Sequence, residues 1–189
     1  MTELEKFEGF MKNYQDMVYG TAMRMLGNPT DAQDIAQTVF LKAHEAFGSL
    51  AQSQSAGGWL KTVTRNLCLN HLTRYRNRWR FFSEMRSEED ETDFVDTLAA
   101  PEKLESLDDA DRRQLLEAAL HKLPDAQRVP LVLFHFEEMA YEDIAQKLGV
   151  SLSKVKTDIH RARHALKRYL QPRLAAGDRF DEPSQRPAT

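Results

Sequence analysis

The segment from Ser151 to Arg168 carries the densest hydrogen-bonding chemistry in the chain. Ser153, Lys154, Thr157, Asp158 and Arg161 fall on one side of a helix, toward its N-terminus. Hydroxyls, an ammonium, a carboxylate and a guanidinium so placed can read base edges in the major groove of duplex DNA. Asp158 could accept from a cytosine amino group or pair with Arg161. Lys156, Arg163, Lys167 and Arg168 lie on the flanks, where cations suit phosphates. His160 and His164, four residues apart, could offer two imidazoles to a metal, but no third ligand accompanies them and their neighbours are basic. Contact with phosphate or solvent is the better reading, and no metal site is expected.

These side chains need a rigid element and a fixed corner. Val155, Ile159, Ala162 and Leu166 make the buried stripe of the reading helix. Before it, Tyr141–Leu148 forms a short helix with Ile144, Ala145 and Leu148 inward. Gly149 takes the left-handed turn between them, Val150 plugs the corner and Ser151 caps the second helix. The combination reads as a helix-turn-helix rather than an ordinary amphipathic hairpin with a solvated basic face.

A second basic element runs from about Trp59 to Arg78, with Leu60, Val63, Leu67 and His71 inward and Lys61, Arg65, Asn66, Arg74, Arg76 and Arg78 on its other faces. Residues 48–58, rich in Ser, Gln and Gly, read as a flexible polar loop ahead of it. Two helices come first. One is capped by Thr2-x-x-Glu5, carries Leu4, Phe7, Met11, Tyr14, Val18, Ala22 and Met25 as its apolar stripe, and closes at Gly27. The other is read as starting with a capping box at Thr30-x-x-Gln33 and buries Ala32, Ile35, Val39, Ala43 and Phe47. Leu41 is apolar on its otherwise polar face, beside Asp34, Gln37 and Lys42. Later, Leu115, Leu116, Ala119, Leu120 and Leu123 mark a helix ending at Pro124, and a short helix covers roughly 126–136 with Pro130 awkwardly inside.

The net charge of −3 over 189 residues conceals strong segregation. Residues 61–80 hold six basic residues and no acid, and residues 144–177 hold eight with one acid. Residues 84–111 hold twelve acids and two bases, so the remainder of the chain is net +7. The hydrophobic content of 41% supports packed cores, but no run reaches the ~18 apolar residues of a membrane span. One cysteine, Cys68, excludes an intrachain disulfide and a cysteine-based zinc site and fits a reducing cytoplasm. No carboxylate cluster, P-loop or Cys/His site points to an enzyme, and no cofactor is expected.

Asp31–Ala43, Trp59–Asn66 continuing through Arg74 and Arg78, Leu123–Arg128, and Tyr141–Ala145 continuing through His160–Arg163 together resemble bacterial RNA polymerase sigma factors. The first resembles their region 2.2, the second regions 2.3–2.4 and the last two region 4. Having only these two modules resembles the extracytoplasmic-function (ECF) class. The resemblance implies an all-α fold: a region 2-like bundle over 1–80, an acidic flexible linker over 81–108, a region 4-like helix-turn-helix domain over 109–171, and a disordered tail over 172–189. It implies core polymerase binding, through the β′ clamp and β flap, with Asp34, Gln37, Leu41 and Lys42 at the clamp. Reading of the −10 element falls to Lys61, Arg65, Asn66, Asn70, Arg74 and Arg78, with the 48–58 loop holding a flipped base. Reading of the −35 element falls to Ser153, Lys154, Lys156, Thr157, Asp158, Arg161 and Arg163. Trp59 could stack on a base, but its place beside Leu60 favours a core anchor. Ser153-Lys154 stand where the family often has Gly-Thr, and Asn70 where it often has Asp. The family commonly has an anti-sigma partner, and no membrane insertion is implied. A stand-alone helix-turn-helix regulator is the alternative reading.

Overall fold

A computed structural model describes residues 2–83 and 108–176, and among them the regular structure is entirely helical. The order is α1 (Glu3–Leu26), α2 (Pro29–Glu45), α3 (Phe47–Leu50), α4 (Ala56–Ser83), α5 (Asp109–Leu120), α6 (Asp125–His135), α7 (Tyr141–Leu148) and α8 (Leu152–Ala176). The expected linker, apart from its ends, and the tail beyond Ala176 lie outside the described residues.

Local chemistry sets the first boundaries. Thr2 and Glu5 form the reciprocal capping box at 2.7 and 3.2 Å. Gly27 ends α1 in the left-handed conformation, φ 66°. The start of α2 differs from expectation: Asn28 is the cap, accepting from the amides of Thr30 and Asp31, and Pro29 occupies the first turn. The fixed φ of Pro29 is already helical, so the helix starts before Thr30. The polar loop is shorter than expected, because Phe47–Leu50 forms a helical turn and α4 starts at Ala56. Phe47 and Leu50 are buried, and apolar burial outweighs the turn-forming bias of Gly48 and Ser49.

Helices α1, α2 and α4 pack around Val18, Ala22, Met25, Val39, Ala43 and Leu60. Phe7, Phe10 and Phe47 close one end with edge-to-face rings at 5.0 and 5.5 Å. The inward line of α4 is Leu60, Thr64 and Cys68, while Val63 and Leu67 flank it, partly buried. The Thr64 hydroxyl donates to the Leu60 carbonyl at 2.7 Å, which makes its burial tolerable. Leu4, expected in the stripe, is 63% exposed because α1 outruns its partners at its first turn.

Helix α8 is the spine of the second group, with α5, α6 and α7 packed on it. It runs to Ala176, through Pro172, so residues 172–176 are helical rather than part of the tail. Helix α6 also packs on α1, and one continuous core runs through both groups. Arg24 at the end of α1 pairs with Glu117 of α5 at 2.6 Å and lies over the Phe136 ring. Gly27 sits against Arg128, whose buried guanidinium donates to the Leu123 carbonyl and to Asp125.

Gly27 and Gly149 share a left-handed backbone but not surroundings. A Cβ on Gly27 would lie 2.7 Å from the Arg128 guanidinium, whereas one on Gly149 meets nothing within 4 Å. Gly149→Ala should therefore cost about 1–2 kcal/mol in denaturant unfolding, from the backbone alone. Gly27→Ala should cost more and also loosen the α1–α6 contact; equal losses would show that Arg128 moves aside freely. Cys68 is buried, and burial followed by the negative charge of Glu137 pushes its thiol up to about 12. Alkylation of Cys68 at pH 8 should be slow in the folded protein and rapid in denaturant.

Candidate nucleic-acid interface

Helices α7 and α8 meet across Gly149, φ 62°, with the Ser151 hydroxyl accepting the Lys154 amide at 3.1 Å. Val155, Ile159 and Ala162 fix α8 to the core. Ser153, Lys154, Lys156 and Arg161 are exposed, and Thr157 is half-buried with its hydroxyl bonded to the Ser153 carbonyl at 3.0 Å. Arg161 lines a cleft with Gln127, His160, His164 and Arg168. This is a cationic surface on the N-terminal half of a helix whose other face is packed in the core, suited to a groove and its phosphates.

Two residues assigned to this face sit differently. Asp158 is only 7% exposed, and its carboxylate receives Lys154 Nζ at 3.0 and 3.3 Å. It faces inward beside Ile159 because position 158 lies three residues after Val155, within reach of the apolar stripe. Burial pushes its carboxyl above the ordinary range, against the hydrogen bond and charge of Lys154 and the charge of Arg161. Both carboxylate oxygens of Asp158 are thus turned to Lys154 Nζ. Arg163 leaves the flank to cover the Phe134 ring at 5.5 Å, with its guanidinium 3.2 Å from the His135 ring.

The basic face of α4 is also partly occupied. Lys61 and Arg65, one turn apart, both point at the corner between α6 and α7. Lys61 Nζ donates to the Phe136 carbonyl at 2.7 Å. The Glu137 carboxylate lies 3.8 Å from Lys61 and 3.8 Å from Arg65, with its residue only 8% exposed. Burial raises the Glu137 carboxyl above the ordinary range although Lys61, Arg65 and Arg24 all pull it down. Asn66 and Asn70 are exposed farther along α4, while the side chains of Arg74 and Arg78 lie outside the described residues. Trp59 packs against the core, as a core anchor would. Sequence reasoning missed Glu137, Arg24 and Glu117, whose partners are distant in the chain.

On α2, Asp34, Gln37, Leu41 and Lys42 are all exposed, and Leu41 reaches 68%. An apolar side chain that exposed, ringed by polar ones, suits a protein partner. Among the described residues no group of His, Cys, Asp and Glu could hold a metal, and no helix is long and apolar enough to cross a membrane.

Comparison with known proteins matches both helix groups. Residues 10–79 match Sigma-70 region 2, and residues 113–166 match Sigma-70, region 4. The RNA polymerase sigma-H factor of Pseudomonas aeruginosa is 33% identical over 172 residues, covering 89% of this chain and 88% of that protein. The ECF RNA polymerase sigma factor SigW of Bacillus subtilis is 28% identical over 170 residues, covering 88% of this chain and 90% of that protein. The solved sigma factor RpoE of Bartonella quintana, in complex with the anti-sigma factor NepR, aligns with 87% of this chain and 96% of its own at 22% identity and a TM-score of 0.45. With both regions matched in order and its relatives aligned along most of their length, the chain belongs to the ECF class of RNA polymerase sigma factors.

Proposed function

We propose that this protein is a dissociable promoter-specificity subunit that works in the cytoplasm and catalyses no covalent step itself. The α2 face of Asp34, Gln37, Leu41 and Lys42 docks on core polymerase at the β′ clamp. The exposed N-terminal half of α8 reads the −35 element through Ser153, Lys154, Lys156, Thr157 and Arg161. The α4 face of Lys61, Arg65, Asn66 and Asn70, continuing toward Arg74 and Arg78, grips the opened strand at −10. The region 2-like domain occupies 1–80 and the region 4-like domain 109–171, with α4 and α8 extending beyond these limits to Ser83 and Ala176.

The observation that carries this reading is the coexistence of two basic helices with an isolated exposed Leu41 on a third. A DNA-binding regulator needs the α7–α8 helix-turn-helix alone. A polymerase subunit needs DNA surfaces and a protein-docking surface together. Lys154, held by Asp158, gives the −35 face a cation of defined position. Lys156 is exposed and serves phosphate.

The deciding experiment adds purified protein to core polymerase and sequences the transcripts. Initiation at a specific promoter set is expected; a core enzyme that gains nothing would leave only the stand-alone regulator. Leu41→Asp should weaken core binding about tenfold or more, the worth of one buried leucine side chain, while duplex binding by α8 persists. Parallel loss of both would indicate unfolding. Arg161→Ala should weaken −35 binding by about 1–3 kcal/mol and relax preference at one position if it contacts a base. A uniform loss across sequences, with a shallower salt dependence, would move Arg161 to a phosphate.

A further inference from the structure

We infer that Asp158 is a specificity-determining residue of the −35 contact that acts through Lys154: its buried carboxylate pins the exposed ammonium, and the pinned ammonium selects a keto base, guanine or thymine, at one position of the duplex. This rests on the assignment of α8 to the −35 element. It adds a residue that sets base preference from beneath the reading surface.

Both ends of Lys154 are held. Its amide donates to the Ser151 hydroxyl at 3.1 Å, at the start of α8. Its Nζ donates to the two Asp158 oxygens at 3.0 and 3.3 Å, one turn later. Side chains of a helix lean toward its N-terminus, so the Asp158 carboxylate lies back over the turn that carries Lys154. That carboxylate is itself fixed. Asp158 is 7% exposed, on the flank of Val155 and Ala162, which are fully buried. The Lys154 side chain keeps 46% of its surface exposed.

A lysine with no such partner is a flexible point charge, and it settles on the nearest phosphate. That contact carries no sequence information. An ammonium has three N–H donors. With two directed at Asp158, tetrahedral geometry aims the third away from the carboxylate. A single directed donor suits a keto oxygen at a fixed place in the major groove, guanine O6 or thymine O4. Cytosine and adenine turn an amino group to the groove at the same edge. The carboxylate also offsets the charge of Lys154 and weakens its pull on phosphates.

Stability does not account for the pair. A buried carboxylate loses its hydration, and a lysine half in water returns little of it. Burial outweighs both Lys154 and Arg161, so the carboxyl sits above its ordinary range and the ionised form is disfavoured by folding. Among the described residues the hydrogen bonds of this carboxylate go to Lys154 and not to Arg161, which lines the cleft with Gln127 and Arg168.

The test uses the full chain with core polymerase and a promoter library randomised across the −35 element, with transcripts sequenced. Asp158→Ala should reduce the preference for a keto base at one position about five- to tenfold and leave the other positions unchanged. Removing an acid beside DNA should also tighten binding to a random-sequence duplex and steepen its salt dependence by about one phosphate contact. Asp158→Asn, which keeps the shape and loses the charge, should lie between Asp158→Ala and the parent. In a Lys154→Ala background, Asp158→Ala should change the preference no further. A merely structural role would instead weaken all sequences alike and lower the thermal midpoint in either background. Retained preference in both Asp158→Ala and Asp158→Asn overturns the positioning role, as does a loss that persists in the Lys154→Ala background. If Lys154→Ala flattens one position while the Asp158 variants flatten none, the assignment of α8 stands and the role of Asp158 alone is lost. If Lys154→Ala, Thr157→Ala and Arg161→Ala each leave every −35 position intact, the assignment of α8 fails and the proposal falls with it.

Discussion

The middle of helix α6 has no side that water can wet. Arg128 through Leu133 are six consecutive buried residues, and six residues at ~100° each go more than once around a helix. Such a helix must be covered on opposite flanks. Helix α8 covers one and α1 covers the other. The two helix groups are therefore not beads on a string in this structure. The α6 side chains complete a core begun by α1, and Arg128 brings its guanidinium to the one residue of the α1–α2 corner that has no side chain. Every contact that occupies the α4 cations follows from this, because the corner after α6 is carried to α4 by the helix before it.

The readable parts of the fold were those governed by nearby residues. The Thr2–Glu5 box, the stops at Gly27 and Gly149, the Ser151 cap and the exposure of Leu41 all depend on neighbours within a turn. What escaped depends on distance. Arg24 and Glu117 are separated by 93 positions, and Lys61 and Phe136 by 75. No local pattern pairs them. One signal was present and undervalued: Val129-Pro130-Leu131-Val132-Leu133 is a continuous apolar run, not a stripe. By local pattern alone the segment is a short helix interrupted by Pro130. A run without a polar side instead marks a helix enclosed by others, and Pro130 is buried within it.

Charge segregation looked like a simple division, with two basic segments for nucleic acid and an acidic one between. The structure adds a finer level. Single acids placed beside basic faces, Glu137 against α4 and Asp158 within α8, determine which cations are available. Both are buried, and for both burial outweighs the attraction of nearby cations and raises the carboxyl above its ordinary range. Their roles differ because their partners differ. Asp158 holds a lysine of its own helix at 3.0 and 3.3 Å, and that pair needs no other element. Glu137 reaches across to another helix by two long ones and depends on the packing of α1 against α6.

If α8 reads the −35 element as proposed, that difference bears on what its exposed face can offer. With Asp158 turned inward, the exposed polar set is Ser153, Lys154, Lys156 and Arg161, all donors or cations except for the hydroxyl lone pairs. Such a surface has little means of accepting a cytosine or adenine amino proton. It is suited to guanine O6 and N7, thymine O4 and the phosphates on either side. On the proposed reading, Asp158 would shape that preference from below, since it is buried away from the face and holds the exposed Lys154.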